Sequence, residues 1–333
     1  MCASPAATAV AHPNIAFIKY WGNLDDRLRL PASPSFSMTL GGLTTTTSVR
    51  LDRTSDLDQA NLNGRPVNGP ALARISAHLD LVRQAAQRTE KAQVVSSNDF
   101  PTGSGVASSA SGFAALTLAA CAAYGLALPP EELSRVARRG SGSACRSIFG
   151  GFVEWPSTGD DSTCHAHPVA PADHWPLIDW VAVVDQGPKP VGSTQGHQLA
   201  GTSPLQAARL ASATQRLAAA KQSVLERDFE ALAIVAELDS DLMHAVMMTS
   251  SPPILYWRPA TLAVIHTVRR LRQSGTPVFY TLDAGPNPHC LCTQQASDTV
   301  KQALEQVPGV ERLLRATGGG PARLVSDEPR QAE

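Results

Sequence analysis

Nowhere in these 333 residues does an apolar run approach the roughly 20 consecutive residues that a helix needs to cross a bilayer. A helical membrane protein is therefore not expected. Cysteine is scarce as well. The six (Cys2, Cys121, Cys145, Cys164, Cys290 and Cys292) include no C-x-x-C pair and no zinc-ligand spacing, so reduced, mostly buried thiols in a cytoplasmic protein are expected. There is no basic surplus either: 28 Lys and Arg stand against 29 Asp and Glu, for a formal net charge of -1. That balance argues against a nucleic-acid binder. The arginines Arg135, Arg138 and Arg139 are interleaved with apolar residues and read as a solvated helix face. The opening residues 1–9 lack both a basic and an apolar region, so they are expected to form a frayed tail and not a secretory signal.

What is present is the composition of a soluble enzyme, 43% hydrophobic and 17% charged, with no internal repeat. Residues 14–20, 35–40 and 44–51 alternate as half-buried strands do, and Asn63-Gly64 marks a tight turn. Residues 70–91 carry a helical period, with Leu72, Ile75, Leu79 and Val82 on one face. A short strand at 94–97 then leads through a glycine-rich loop into an Ala-rich helix over 108–124. Pro129-Pro130-Glu131-Glu132 opens the next helix, with proline and carboxylates in its first turn. Strands are expected at 148–155 and 180–185, and the polar connection between them separates two halves. Helices follow at 204–221, 228–248 and 259–273, strands at 278–282 and 289–293, and a last helix at 298–305. Strands followed by helices in this way indicate α+β layering and not a doubly wound parallel sheet.

The strongest local signal is the segment Pro101-Thr102-Gly103-Ser104-Gly105-Val106-Ala107-Ser108-Ser109-Ala110. A strand feeding small residues that open a helix exposes backbone N–H groups, and together with the helix N-terminus these suit a phosphate. No Gly-Lys-Ser/Thr follows, so it is not a Walker A loop. The pattern resembles the phosphate loop of the GHMP kinase superfamily through Pro101, Gly105, Ala107, Ser108, Ser109 and Ala110. Further segments resemble the mevalonate diphosphate decarboxylases within it: Asn14-Ile15-Ala16-Phe17-Ile18-Lys19-Tyr20-Trp21-Gly22, Gly140-Ser141-Gly142-Ser143-Ala144-Cys145-Arg146-Ser147, Gly192-Ser193-Thr194-Gln195-Gly196, Ser251-Pro252-Pro253-Ile254 and Asp283-Ala284-Gly285-Pro286-Asn287.

The resemblance implies a GHMP kinase-type α+β fold: an ATP-binding, ribosomal-protein-S5-like domain over 1–178, followed by a ferredoxin-like domain over 179–333. It implies ATP with Mg2+, a phosphorylated mevalonate as substrate and a homodimer. ATP would lie on Pro101, Gly103, Ser104, Gly105, Ala107, Ser108 and Ser109. The substrate would contact Tyr20, Trp21, Gly22, Asn23, Arg74, Ser141, Gly142, Ser143, Arg146, Ser193 and Thr194.

The residue types suit the reaction on chemical grounds too. Asp283 can orient or deprotonate a hydroxyl, Arg146 can grip a carboxylate with its planar fork, and Lys19 can stabilise a phosphoryl group in transit. The resemblance adds Ser109 to the catalytic set, at the helix start against the β- and γ-phosphates of ATP. No metal site is expected at His165, His167 and His174. One position departs from the family's Lys-Tyr-Trp-Gly-Lys: the last lysine is Asn23 here. A missing cation favours the shorter phosphate, so 5-phosphomevalonate, giving isopentenyl phosphate, is the expected substrate. The alternatives are the 5-diphosphate, a 3-kinase that stops before decarboxylation, and an inactive binding scaffold. Arg27 or Arg29 could replace the lost charge from the adjacent loop.

Overall fold

The structure is a computed structural model that describes residues 5–100, 108–187, 189 and 191–325. Two large sheets organise it, and neither is confined to one half of the sequence. In the eight-stranded sheet, Ser35–Gly41 lies between Phe152–Trp155 and Arg312–Gly318 and also pairs with Asn14–Ile18. Beyond Arg312–Gly318 come Leu177–Val183, His289–Thr293 and Val278–Thr281, all antiparallel. The six-stranded sheet centres on Thr45–Asp52, paired with Ala6–Ala11 on one side and Lys91–Asn98 on the other.

Helices cover these sheets in the α+β manner expected. Gly69–Ala86, Ser108–Ala123 and Pro130–Gly140 bury an apolar cluster against the six-stranded sheet through Leu79, Val82, Ala115, Ala119 and Leu133. Ser108–Ala123 is built of small residues and is mostly buried, so helix and strands can approach closely. Ala213–Glu226 and Phe229–Met248 cover the other sheet over Ile15, Phe17, Phe36, Phe152 and Phe279. Pro259–Gln273 and Ser297–Glu305 pack against its far end over Trp180, Val278 and Tyr280. Among the described residues no helix is long and apolar enough to cross a membrane.

Several boundaries differ from the sequence reading. Ala6–Ala11, expected to fray, is a strand held between Thr45–Asp52 and Arg323–Val325. The helix anticipated through residue 91 stops at Ala86, where Gln87 adopts the left-handed conformation, and Lys91 begins a strand. The helix anticipated over 204–221 breaks at Ser212 into Gln206–Ala211 and Ala213–Glu226. Arg138 is not solvated: it is fully buried, and its guanidinium donates to the Leu28 and Cys164 carbonyls and to Asp161. The helical period places it inward, and these acceptors satisfy the charge.

One buried ionic cluster ties the sheet strands to the helices. Asp239, fully buried on the Phe229–Met248 helix, accepts from Arg216 Nε at 2.6 Å and from the Lys19 backbone N–H at 2.6 Å, with Arg209 3.7 Å away. Arg209 in turn donates to the Lys19 carbonyl at 2.6 Å. Removing one member of such a cluster strands the other charges in a medium that cannot solvate them. Asp239→Ala should therefore lower unfolding free energy by about 3–5 kcal/mol, read from the urea midpoint at unchanged slope. A variant as stable as the parent would show that the cluster contributes nothing.

Candidate active site

Strand Asn14–Ile18 ends directly at Lys19, and strand Val278–Thr281 runs out through Leu282 to Asp283. Between these two strand ends lies a cavity of about 100 Å³. Lys19, only 1% exposed, places Nζ 2.7 Å from Asp283 Oδ1. Burial lowers the lysine's pKa against the raising pull of Asp283. Burial would raise that of Asp283, but Lys19 outweighs it and holds the carboxyl below its ordinary value. The Phe229–Met248 helix anchors both strand ends: Asp239 takes the Lys19 N–H, Ser240 Oγ takes the Leu282 N–H at 3.0 Å, and His244 Nε2 lies 3.2 Å from the Asp283 carbonyl.

Arg146 faces the same cavity from the 3-10 turn Gly142–Ile148. It is buried, yet its partners are all neutral: Ser37 Oγ at 2.9 Å, Ser35 Oγ at 2.6 Å and Asn14 Oδ1 at 2.9 Å. No described carboxylate lies within ion-pair distance, and burial depresses its pKa. A guanidinium has five N–H donors. Three are used here, so the fork is oriented by neutral groups and keeps donors for an anion.

The cavity gathers most of the residues anticipated from sequence. Tyr20, Trp21, Arg74, Ser109, Ser141, Gly142, Ser143 and Ser193 all line it. Arg74 stacks 4.6 Å over the Phe113 ring and donates to the Gly140 carbonyl. Ser109 Oγ, at the start of its helix, is 3.3 Å from Ser141 Oγ. Two glycines are required by close approach: a Cβ on Gly142 would collide with the Tyr20 ring, and one on Gly196 with the Trp21 ring.

Three anticipated contacts do not line it. Gly22 is buried with its N–H on His197 Nδ1, and Thr194 is exposed. Asn23 turns its amide aside, accepting from Tyr20 Oη and donating to Asp26 Oδ1 at 2.7 Å. Pro101, Gly103, Ser104, Gly105 and Ala107 lie outside the described residues. The loop histidines are held separately, His174 Nε2 2.9 Å from the Val224 carbonyl and His167 beside Glu154.

The cavity also contains residues that sequence reading did not assign. Lys189 lines it and donates to the Ala284 carbonyl. His197 stacks on both Tyr20 and Trp21, and burial drives its pKa down to about 3, so it is neutral. Arg29 lines it too. The only available signals were a lone lysine between prolines and a histidine one turn beyond Ser193. A second, largely apolar cavity of about 240 Å³ adjoins through Arg74 and Ser109, walled by Ala60, Val67, Ile75, Phe113 and Leu116.

A lysine–aspartate pair, an oriented arginine with no described acid partner and a neighbouring apolar pocket make a cavity suited to a small acidic ligand. Comparison with known proteins specifies the family. Residues 11–166 match the diphosphomevalonate decarboxylase-like N-terminal domain, and residues 180–321 match the mevalonate 5-diphosphate decarboxylase C-terminal domain. The diphosphomevalonate decarboxylase of Candida albicans is 39% identical over 299 residues, covering 85% of this chain and 83% of that protein. The mevalonate diphosphate decarboxylase of Staphylococcus aureus superposes with a TM-score of 0.92 at 35% identity, over 96% of this chain and 98% of that one. A structure of MDDEF in complex with MVAPP, AMPPCP and magnesium gives 0.91 at 38% identity, with the same coverage. The chain belongs to the mevalonate diphosphate decarboxylase family and has its GHMP kinase-type fold.

Proposed function

We propose that the protein catalyses the ATP-dependent decarboxylation of mevalonate 5-diphosphate to isopentenyl diphosphate, ADP, phosphate and carbon dioxide. The observation that carries this is Arg146, a buried cation with no acid partner among the described residues, set in one cavity with the Lys19–Asp283 pair. The relatives weigh toward the diphosphate over the monophosphate anticipated from Asn23. A division of the chain near residues 178 and 179 is part of the same reading. Its support is the gap between the two family matches.

In this reading the 3-hydroxyl sits against Asp283 and the substrate carboxylate against Arg146. Because Lys19 keeps the Asp283 pKa low, the carboxylate is a weak base. Its main role is to accept the hydroxyl hydrogen bond and aim the oxygen at the γ-phosphorus. The oxygen–phosphorus bond forms as the bond to ADP breaks, the hydroxyl proton passes to the Asp283 carboxylate once bonding to phosphorus has made it acidic, and Lys19 offsets the charge on the moving phosphoryl group. The C1–C2 bond then breaks, carbon dioxide leaves, its electron pair forms the C2–C3 double bond, and phosphate departs from C3. Arg146 aligns the carboxylate for that elimination without neutralising it by proton transfer, since a guanidinium stays protonated.

The nucleotide would place its base in the apolar cavity and its phosphates by Ser108 and Ser109 at the helix start. Magnesium supplies charge neutralisation to those phosphates. Asp283, the single carboxylate among the described residues that line the first cavity, is already paired with Lys19, so phosphate oxygens and water would hold most of the ion.

Product analysis by mass, with mevalonate 5-diphosphate and 5-phosphate in parallel, tests the substrate. The diphosphate should show the higher kcat/KM, and the reverse order would return the reading to the monophosphate. Asp283→Asn should fold and bind substrate nearly as the parent does, but lose about 10²–10⁴-fold in kcat. Near-parental turnover would remove Asp283 from the chemistry. Arg146→Lys replaces the fork by a point charge and should reduce both kcat and substrate affinity by about tenfold or more, leaving ATP affinity intact. Equal losses for substrate and ATP would assign Arg146 a structural role instead.

A further inference from the structure

If the substrate carries a diphosphate, the cation missing at position 23 has to come from elsewhere, because two linked phosphates in a cavity need more than neutral donors. Asn23 does not supply even its amide, which is engaged by Tyr20 and Asp26. Of the two arginines in the following turn, Arg27 is exposed and does not line the cavity. Arg29 does. The hairpin explains the difference. Asn23–Asp25 pairs with Leu30–Pro31, the Leu28 N–H is held by Asp25 Oδ1 at 2.6 Å, and Arg29 closes the turn at φ 51. A left-handed conformation at a residue with a long side chain is uncommon and carries a backbone cost. Here it goes with a side chain directed inward.

The surroundings of Arg29 point the same way. Its Nε donates to the Arg139 carbonyl at 3.1 Å, and among the described residues no carboxylate lies within ion-pair distance of it. Its charge acts on Arg74, which burial and Arg29 together bring down to about 10, and on the neutral His197. Two guanidiniums thus converge on one cavity wall beside Ser141 and Ser143 without a described acid between them. Such an arrangement repels itself when empty and is relieved by a bound polyanion.

We infer that Arg29 is the specificity-determining cation of this chain: it binds the terminal phosphate of the substrate in place of the lysine absent at position 23. The inference rests on the diphosphate reading above. Arg29→Asn removes the charge while tolerating the left-handed backbone, and Asn23→Lys in the same chain restores a cation from the neighbouring strand. Calorimetric binding of mevalonate 5-diphosphate and of mevalonate 5-phosphate, both without nucleotide, reads the effect. The parent should bind the diphosphate more tightly. Arg29→Asn should weaken it by about tenfold or more, with a change of no more than about threefold for the monophosphate. The double variant should recover most of the loss, and the contrast should shrink at high salt.

Unchanged diphosphate binding in Arg29→Asn would overturn the inference. So would equal loss of both ligands with a lowered melting temperature, which would make Arg29 a structural support for the Arg139 carbonyl. The two readings separate cleanly. Arg29-dependent diphosphate binding without carbon dioxide release on adding ATP keeps the subsite and sinks the reaction. Carbon dioxide release with an indifferent Arg29 keeps the reaction and sinks the subsite.

Discussion

The meeting of Lys19 and Asp283 depends on one carboxylate that lies outside the cavity lining. Asp239 is fully buried, and it joins the Phe229–Met248 helix to the backbone of Lys19 and to two arginines. One residue later Ser240 takes the Leu282 N–H, and one turn later His244 faces the Asp283 carbonyl. A single helix therefore sets the distance between two strand ends that are far apart in sequence. The 2.7 Å Lys19–Asp283 contact follows from that spacing. A buried ion pair is weak evidence for stability because desolvation offsets most of the attraction. Here the cluster is better understood as fixing geometry: the strand end that carries Lys19 is held by Asp239 and Arg209 through its backbone N–H and carbonyl.

The second organising feature is a sorting of charge. The chain as a whole is nearly neutral, yet among the described residues Lys19, Arg29, Arg74, Arg146 and Lys189 line one cavity against the single carboxylate Asp283. Elsewhere buried arginines meet acids or carbonyls, as Arg83 does with Asp58 and Arg138 with Asp161. In the cavity, among the described residues, Arg146 hydrogen-bonds to hydroxyls and an amide and Arg74 to a carbonyl. Neutral partners orient a cation without consuming its charge. That distinction separates a site built for anions from a structural ion-pair network, and it is visible only from who faces whom.

Long periodic segments were legible from the sequence. The helix carrying Leu72, Ile75, Leu79 and Val82 and the Ala-rich helix from Ser108 appear where their patterns place them, because a buried helical face leaves a repeating signature. Ala6–Ala11 left little: its four alanines are poor strand formers and dilute Thr8 and Val10, and pairing with neighbours on both sides makes the segment a strand. Ser212 broke an anticipated helix for the same reason, local packing overriding a compatible local pattern. Arg138 was misread because charge suggests solvent, while the acceptors that make its burial tolerable come from Leu28, Asp161 and Cys164, distant in sequence.

The site divides along the same line. Sequence alone singled out Lys19, Arg146, Asp283 and the Ser108-Ser109 helix start as candidates, since each lies in a motif whose residue types suit one step of the proposed chemistry. It also determined that position 23 lacks a cation. Tertiary structure alone decided that Asn23 turns toward Asp26, that Arg29 and not Arg27 enters the cavity, and that Lys189 and His197 join the wall. The reason is physical. A motif records which functional groups are available, but the direction of a single side chain on a two-strand hairpin depends on one backbone dihedral and on partners over 100 residues away.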